Sequence, residues 1–378
     1  MNAVKRFNLY VLLFACFFLG GCWDNKDIEK LSIVLATGFD KGEDTEKGPI
    51  KITTQMAIYQ NTQETQPPIK STYQNFTLEG DSVHEIIRKM SLMLPKSVIP
   101  QHQKLLIIGQ DLAREVNFQD LLDTIIRDNQ SRMSMEVCIS MPSAQKMLDV
   151  PGKTEMPAER IIETMQNRYR TTGILPMMSL GNLTTNLVNN SSFLLQNLDI
   201  QYGQIVFNGA AVVNGREKKL VGILSQEEIQ GAGWITGKIK GGLVKVKNKD
   251  NKVMVYEIQS VDSRIRVSKK NGRPSYDINV TSTGQISEDW ANSSDQNKNL
   301  TEVERLTEEK VENMIKATLD KLQTEYRTDA LKFSEKFRIQ YPREWEKIKP
   351  KWDEHFAEAD ITYDVDIRVT NMGSSMKK

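Results

Sequence analysis

Apolar residues change their spacing along this chain, and each change marks an element. Residues 31–40, LSIVLATGFD, are rich in β-branched and small apolar side chains and predict a strand ending at a Gly turn. Residues 50–59 alternate and predict a second strand; 71–80 give a third after a polar, Pro-containing loop. Val83, Ile86, Ile87, Met90 and Met93 then recur at helical spacing behind Ser82-x-x-Glu85, which reads as a capping box. QKLLIIG at 103–109 is a short continuous apolar run, as in a strand buried on both faces. Residues 110–127 predict one helix, MSMEVCISM at 133–141 another strand, and Ser143 opens a short helix carrying Ala144, Met147 and Leu148. Strand and helix alternate throughout this part, which predicts a layered arrangement of helices on a sheet.

The pattern shifts after about residue 197. Residues 200–224 read as two strands around Asn214-Gly215, a strong hairpin signal. Ser225 with Glu228 opens a short helix that Gly231 closes, and strands are expected at 238–247, 252–260, 263–269 and 276–286. Thr301-x-x-Glu304 reads as the cap of the longest helix, striped by Val303, Leu306, Val311, Met314, Ile315, Leu319 and Leu322. A last alternating strand runs from Ile361 to Val369. The expected fold class is α+β, with mixed sheets, flanking helices and a hairpin-rich second half. The expected division is a leader at 1–21, an α/β domain at 22–197, a β domain at 198–290 and a helix–sheet domain at 291–378, with 198–378 able to act as one unit.

The start of the chain breaks this grammar. Lys5 and Arg6 precede an almost wholly apolar run at 9–19, which ends Leu19-Gly20-Gly21-Cys22. Eleven residues are too few for a membrane-spanning helix, which needs about 20. The run reads as a signal h-region, and its end resembles the lipobox of bacterial lipoproteins, in which the cysteine thiol takes a diacylglycerol before cleavage. Cys22 is therefore the expected lipidation site. Of the two other cysteines, Cys16 lies in the leader and Cys138 in a strand, so no disulfide framework is expected.

Charge and chemistry narrow the function. With 50 basic and 49 acidic residues, the chain carries no electrostatic footprint for nucleic acid. His84, His102 and His355 sit on different predicted elements, so no metal site is expected. GAGWITGKIKGG at 231–242 tempts two readings and fails both. A phosphate-binding loop would need Gly where Ala232 stands and Ser or Thr where Ile239 stands; a dinucleotide fingerprint would need Gly at Thr236. No nucleophile has an obvious base, and Glu227-Glu228 and Glu308-Glu309 read as solvated helix faces. The expectation is a body that is not an enzyme and holds no cofactor.

The segment CWDNKDIEKLSIVLATGFD resembles the start of the Ger(x)C family, the lipoprotein subunit of spore germinant receptors. The matching residues are Cys22, Trp23, Asp24, Asp27, Ile28, Glu29 and Gly38-Phe39-Asp40. Further likeness lies in the block carrying His102, Arg127, Asp128 and Arg132, and in FNGAAVVNGREKKLVGIL, where Ala210 replaces a family Gly. A third block carries Tyr341-Pro342, Trp345 and Trp352. The resemblance implies a non-catalytic subunit, lipid-anchored to the outer face of the spore inner membrane. It would act with two integral-membrane partners, the A and B subunits, in a receptor for nutrients. It also implies a mixed α and β fold in three domains.

Candidate partner contacts are Trp23, beside the lipid, and Tyr341, Trp345 and Trp352. Trp345 and Trp352 are seven residues apart, so on one helix they share a face. That stripe either packs the last helix on the terminal sheet or forms an exposed patch for a partner. An alternative function is a solute-binding lipoprotein that feeds a membrane transporter. Such proteins usually have two doubly wound lobes, and the hairpin-rich second half argues against it.

Overall fold

The computed structural model describes Phe7 and residues 31–43, 48–57, 73–94, 97–128, 131–152, 155–290 and 296–371. Apart from Phe7, the leader lies outside the described residues, as do Cys22 and Trp23.

The first sheet begins with β1 (Leu31–Lys41), β2 (Ile50–Ala57) and β3 (Tyr73–Gly80), an antiparallel meander. Helix α1 (Val83–Met93) buries Val83, Ile86 and Met90. The short β4 (Ser97–Ile99) and then β5 (Leu105–Gly109) pair with β1 in parallel. Every residue of β5 is buried, as its unbroken apolar run requires. Helices α2 (Gln110–Glu115) and α3 (Phe118–Arg127) lead to β6 (Glu136–Ser140), parallel to β5. After α4 (Ala144–Asp149), α5 (Pro157–Met165) and α6 (Leu180–Val188), β7 (Phe193–Gln201) adds in parallel to β6. Two hairpins then append β8 (Gln204–Asn214) and β9 (Lys219–Leu224). The strand order is β3-β2-β1-β5-β6-β7-β8-β9, so strands on both sides of residue 197 share one sheet.

The second sheet is β10 (Gly242–Lys247), β11 (Val253–Lys270), β12 (Arg273–Asp289) and β13 (Asp360–Asn371), in that order. Burial alternates strictly along much of β12, the mark of a sheet packed on one face only. That face is covered by α7 (Gln226–Thr236) and α8 (Gln296–Asp320), which share one apolar core with the sheet. Gly231 makes the contact between the two helices possible: a Cβ there would lie 2.2 Å from the Met314 carbonyl oxygen on α8. Three short helices follow, α9 (Phe333–Gln340), α10 (Pro342–Ile348) and α11 (Trp352–Ala357).

Several local expectations are corrected. Residues 110–127 form two helices, because the backbone turns extended at Val116 and Asn117 caps the second by accepting from the Gln119 N–H at 2.8 Å. Ser82 makes no side-chain cap, whereas Ser225 and Glu228 form the full reciprocal box. Gly231 does not end α7; it runs to Thr236, and Gly237, with φ at 64°, terminates it in the left-handed region that suits glycine. The strands expected at 252–260 and 263–269 are one strand, irregular between Ile258 and Ser260. The expected first strand after residue 197 is really two, joined at Tyr202-Gly203, both with positive φ.

Helix α8 starts at Gln296, so Thr301-x-x-Glu304 lies inside it. Glu304 has a different task. Its Oε1 accepts from the Val369 N–H at 2.8 Å, and Glu308 Oε1 accepts from the Ile367 N–H at 3.1 Å. β13 is an edge strand, and the two carboxylates occupy backbone donors that pairing leaves open. Glu308 is thus half-buried and engaged, not part of a solvated face.

Candidate partner-binding site

The predicted aromatics meet where the terminal helices touch the first sheet. Trp345 sits in the middle of α10 and Trp352 opens α11, with a tight turn at Lys349–Lys351 between the two helices. They are not on one continuous helix, yet their rings lie 5.1 Å apart, edge to face. Phe337 packs on Trp352 at 5.7 Å and on Tyr341 at 5.3 Å, and the Lys269 ammonium sits 4.9 Å above the Tyr341 ring. Phe333, one helical turn before Phe337, joins Tyr276 and Phe356 in the core of the second sheet.

These aromatics differ in access. Trp352 is 5% exposed, and its indole N–H donates to Asp329 Oδ2 at 2.9 Å. It is a core residue. Tyr341 and Trp345 are half-buried and keep a solvent-facing part. Trp352 thus packs in the core, and Tyr341 and Trp345 rest against the same core with part of each ring left in solvent.

Asp329 organises the site. It is 3% exposed and accepts three hydrogen bonds, from the backbone N–H groups of Phe333 (2.9 Å) and Ser334 (2.6 Å) and from Trp352. The first two are the open donors at the start of α9, which a carboxylate satisfies with charge-assisted bonds. The third ties α9 to α11.

The other wall comes from the β8–β9 turn. Asn214 Oδ1 accepts from the N–H groups of Arg216 (2.9 Å) and Glu217 (3.0 Å), an Asx turn that holds the loop's shape. Its Nδ2 donates to Thr328 Oγ1 at 3.1 Å and to Asp353 Oδ2 at 3.3 Å, joining the turn to α11. The Arg216 guanidinium donates to the carbonyl oxygens of Lys349 and Pro350, and its Nε lies 3.8 Å from Asp353. Burial pushes the Asp353 carboxyl above its ordinary value; the Asn214 bond and the Arg216 charge pull the other way. Between the walls runs a groove of about 910 Å³, whose lining includes Ser192, Arg216, Arg338, Trp345, Lys349 and Asp353.

Of these residues, only the aromatics and the Asn214-Gly215 turn stood out in the sequence. Asp329, Arg216 and Asp353 were missed. Asp329 stands four residues before Phe333, a spacing that could have marked a helix start, but the run between them holds no recognised capping pattern.

Gly38-Phe39-Asp40 also has a physical role. Phe39 is fully buried. Asp40 sends Oδ1 to the Ala144 N–H at 2.6 Å and Oδ2 to the Gln145 N–H at 2.8 Å, capping α4 from β1. A Cβ at Gly38 would lie 2.8 Å from the Ala144 Cβ, so glycine lets α4 close on the strand. Among the strand residues, Cys138 is fully buried in β6, and burial pushes its thiol far above the ordinary value.

Comparison with known proteins decides the family. The model of the spore germination protein N-terminal domain matches residues 24–200, and that of the spore germination B3/GerAC-like C-terminal domain matches 208–373. The chain belongs to the GerAC-like spore germination proteins. Within that family it is 32% identical to the spore germination protein YndF of Bacillus subtilis (strain 168), over 96% of this chain and 95% of that one. It is 31% identical to spore germination protein B3 of the same organism, over 99% of each chain. The crystal structure of the GerBC protein matches with a TM-score of 0.63 at 29% identity, covering 91% of this chain and 100% of that one. GerAC-like proteins are germinant-receptor C subunits, and the α+β architecture agrees with that structural neighbour. Among the described residues, no helix is long and apolar enough to cross a membrane.

Proposed function

We propose that this GerAC-like chain is the non-catalytic, lipid-anchored C subunit of a nutrient germinant receptor. A diacylglycerol on Cys22 would hold it at the outer face of the spore inner membrane of an endospore-forming bacterium. There it would assemble with the integral-membrane A and B subunits and be required for receptor assembly or response. The observation that carries this reading is end-to-end likeness to germination proteins in a chain whose leader stops at Leu19-Gly20-Gly21-Cys22. Two acyl chains, at about 0.8 kcal/mol per buried methylene, suffice for a stable anchor.

The use of the buried carboxylates supports a binding role over a catalytic one. Asp40 and Asp329 spend their oxygens on backbone and indole donors inside the protein. The crevice at the carboxyl ends of β1, β5 and β6, where open parallel sheets usually bind ligands, holds only about 250 Å³. That is below the ~300–1,000 Å³ of typical small-molecule pockets, whereas the groove beside the β8–β9 turn, at about 910 Å³, lies within that range; volume therefore argues only against a ligand at the carboxyl ends of these strands. Trp345, which lines the groove beside the β8–β9 turn, and Tyr341, packed on Phe337, are the proposed contacts with a partner subunit, and Trp23 beside the lipid is a proposed contact at headgroup level.

The test is genetic and chemical. Deleting the gene is expected to abolish germination on one set of nutrients while leaving germination by chelated dipicolinate intact. Cys22→Ala is expected to abolish metabolic labelling with palmitate. Retained labelling would refute the anchor. Normal nutrient germination after deletion of every paralogue would refute the receptor role, and tight calorimetric binding of a nutrient by the soluble body would favour the solute-binding alternative.

A further inference from the structure

β1, β5, β6 and β7 run parallel, so all four begin at one edge of the first sheet. Exposed apolar side chains gather there. Leu92 and Met93, 88% and 59% exposed, end α1 just before β4, whose Ser97 pairs with Leu31 at the start of β1. Met133 lies three residues before β6, and Val188, 68% exposed, five before β7. With strands about 4.8 Å apart, β1 to β7 spans only about 14 Å of that edge.

The chain reaches the same edge from its anchor. Leu31 stands nine positions after Cys22, and at ~3.3–3.6 Å per position that span reaches at most about 30 Å. The opposite edge, marked by the fully exposed Tyr202 after the nine residues of β7, stands about 30 Å farther away. Charge points the same way. Residues 86–110 carry Arg88, Lys89, Lys96 and Lys104 and no Asp or Glu; Lys89 pairs with Glu85 at 2.7 Å and Lys104 with Glu159 at 3.4 Å, so the basic excess of this stretch rests on Arg88 and Lys96. Basic residues flanking exposed apolar side chains suit anionic lipid headgroups.

We infer that this edge is a membrane-docking surface: Leu92 and Met93 enter the headgroup–acyl boundary of the bilayer that holds Cys22, and Met133 and Val188 lie against it. This rests on the lipid-anchor reading and adds to it an orientation. The body stands with the starts of its parallel strands toward the bilayer and the Tyr202 turn away from it.

The experiment uses the full lipidated chain in vesicles of phosphatidylethanolamine and phosphatidylglycerol. Leu92→Cys and, separately, Tyr202→Cys are labelled with an environment-sensitive thiol dye. Both positions are open, whereas Cys138 is fully buried. Acyl chains brominated near the headgroup serve as the quencher, and the mass of the N-terminal peptide reports acylation of Cys22 independently. The expected result is blue-shifted emission at position 92 with quenching several-fold stronger than at position 202. Equal, weak quenching at both positions on an acylated chain would overturn the docking surface and leave the anchor standing. An unacylated Cys22 would overturn both. Stronger quenching at 202 would reverse the orientation and overturn the proposal.

Discussion

Asp40 and Asp329 are two buried carboxylates that do the same job in different surroundings. Each accepts from two successive backbone N–H groups at a helix start, Asp40 on α4 and Asp329 on α9. Asp40 works inside the first sheet's own layer, next to a glycine that lets the helix close on the strand. Asp329 works at a junction, and its third bond draws in Trp352 from another helix. The difference teaches which family motif holds the scaffold and which shapes a surface. Gly38-Phe39-Asp40 is satisfied internally. The Trp345–Trp352 pair leaves one ring accessible because Asp329 has pinned the other.

The comparison can be broken most severely at Asp329. Asp329→Ala leaves three buried donors without an acceptor, and at roughly 1–3 kcal/mol for each such loss, partly relieved by water, about 3–5 kcal/mol of stability is expected to go. Urea unfolding of the chain without its leader measures it. Trp352→Phe, which keeps the ring and removes only the indole donor, is expected to cost no more than about 1–2 kcal/mol. An equal loss in both variants would mean that the aromatic packing, not the carboxylate, holds the junction.

Gly38→Ala sharpens the other side. The new methyl meets Ala144, and overpacking of this kind costs about 1–3 kcal/mol. Ala144→Gly in the same chain is expected to recover part of it. A double-mutant cycle from the four unfolding curves reads the coupling, and strict additivity would show that α4 does not rest on Gly38.

The smallest effect is a pH dependence. Burial raises the Asp40 carboxyl above 3.8, outweighing the two N–H groups and Lys51 that favour its charge. The folded state then binds more proton than the unfolded state between 3.8 and the raised value, so stability falls as pH climbs through that window. Asp40→Asn is expected to remove this part of the slope while leaving the contributions of other groups in place. Unfolding free energies of both proteins, measured from about pH 3.5 upward, make the test; identical slopes would remove Asp40 from the account.

Much of this was legible in the chain, for local reasons. Strands β1, β2, β3, β5 and β6 follow from runs and alternation of apolar residues, and α7 from its Ser225–Glu228 box, because period and capping act within a few residues. The family resemblance rests on blocks of residues that the two family matches cover except for Cys22, Trp23 and Phe207. The misses have a common cause. Ser82 and Thr301 stand in capping patterns, but whether a hydroxyl caps depends on where the helix starts, and α8 starts five residues before Thr301 because its apolar stripe has the second sheet to pack on. Glu304 looks like half of a capping box and Glu308 like a solvated charge until β13 is laid beside α8.

By itself, then, the sequence determined the alternation of elements, the lipobox at Cys22 as an expectation, and the family. Periodicity, short motifs and residue-by-residue likeness are all written in order along the chain. Only the tertiary structure decided that Trp352 is core and Trp345 is surface, that Asp329 holds them, and that Leu92, Met93, Met133 and Val188 share the edge where β1 begins. Those facts join residues tens to hundreds of positions apart, and burial and hydrogen bonding between them exist only once the sheets have brought them together.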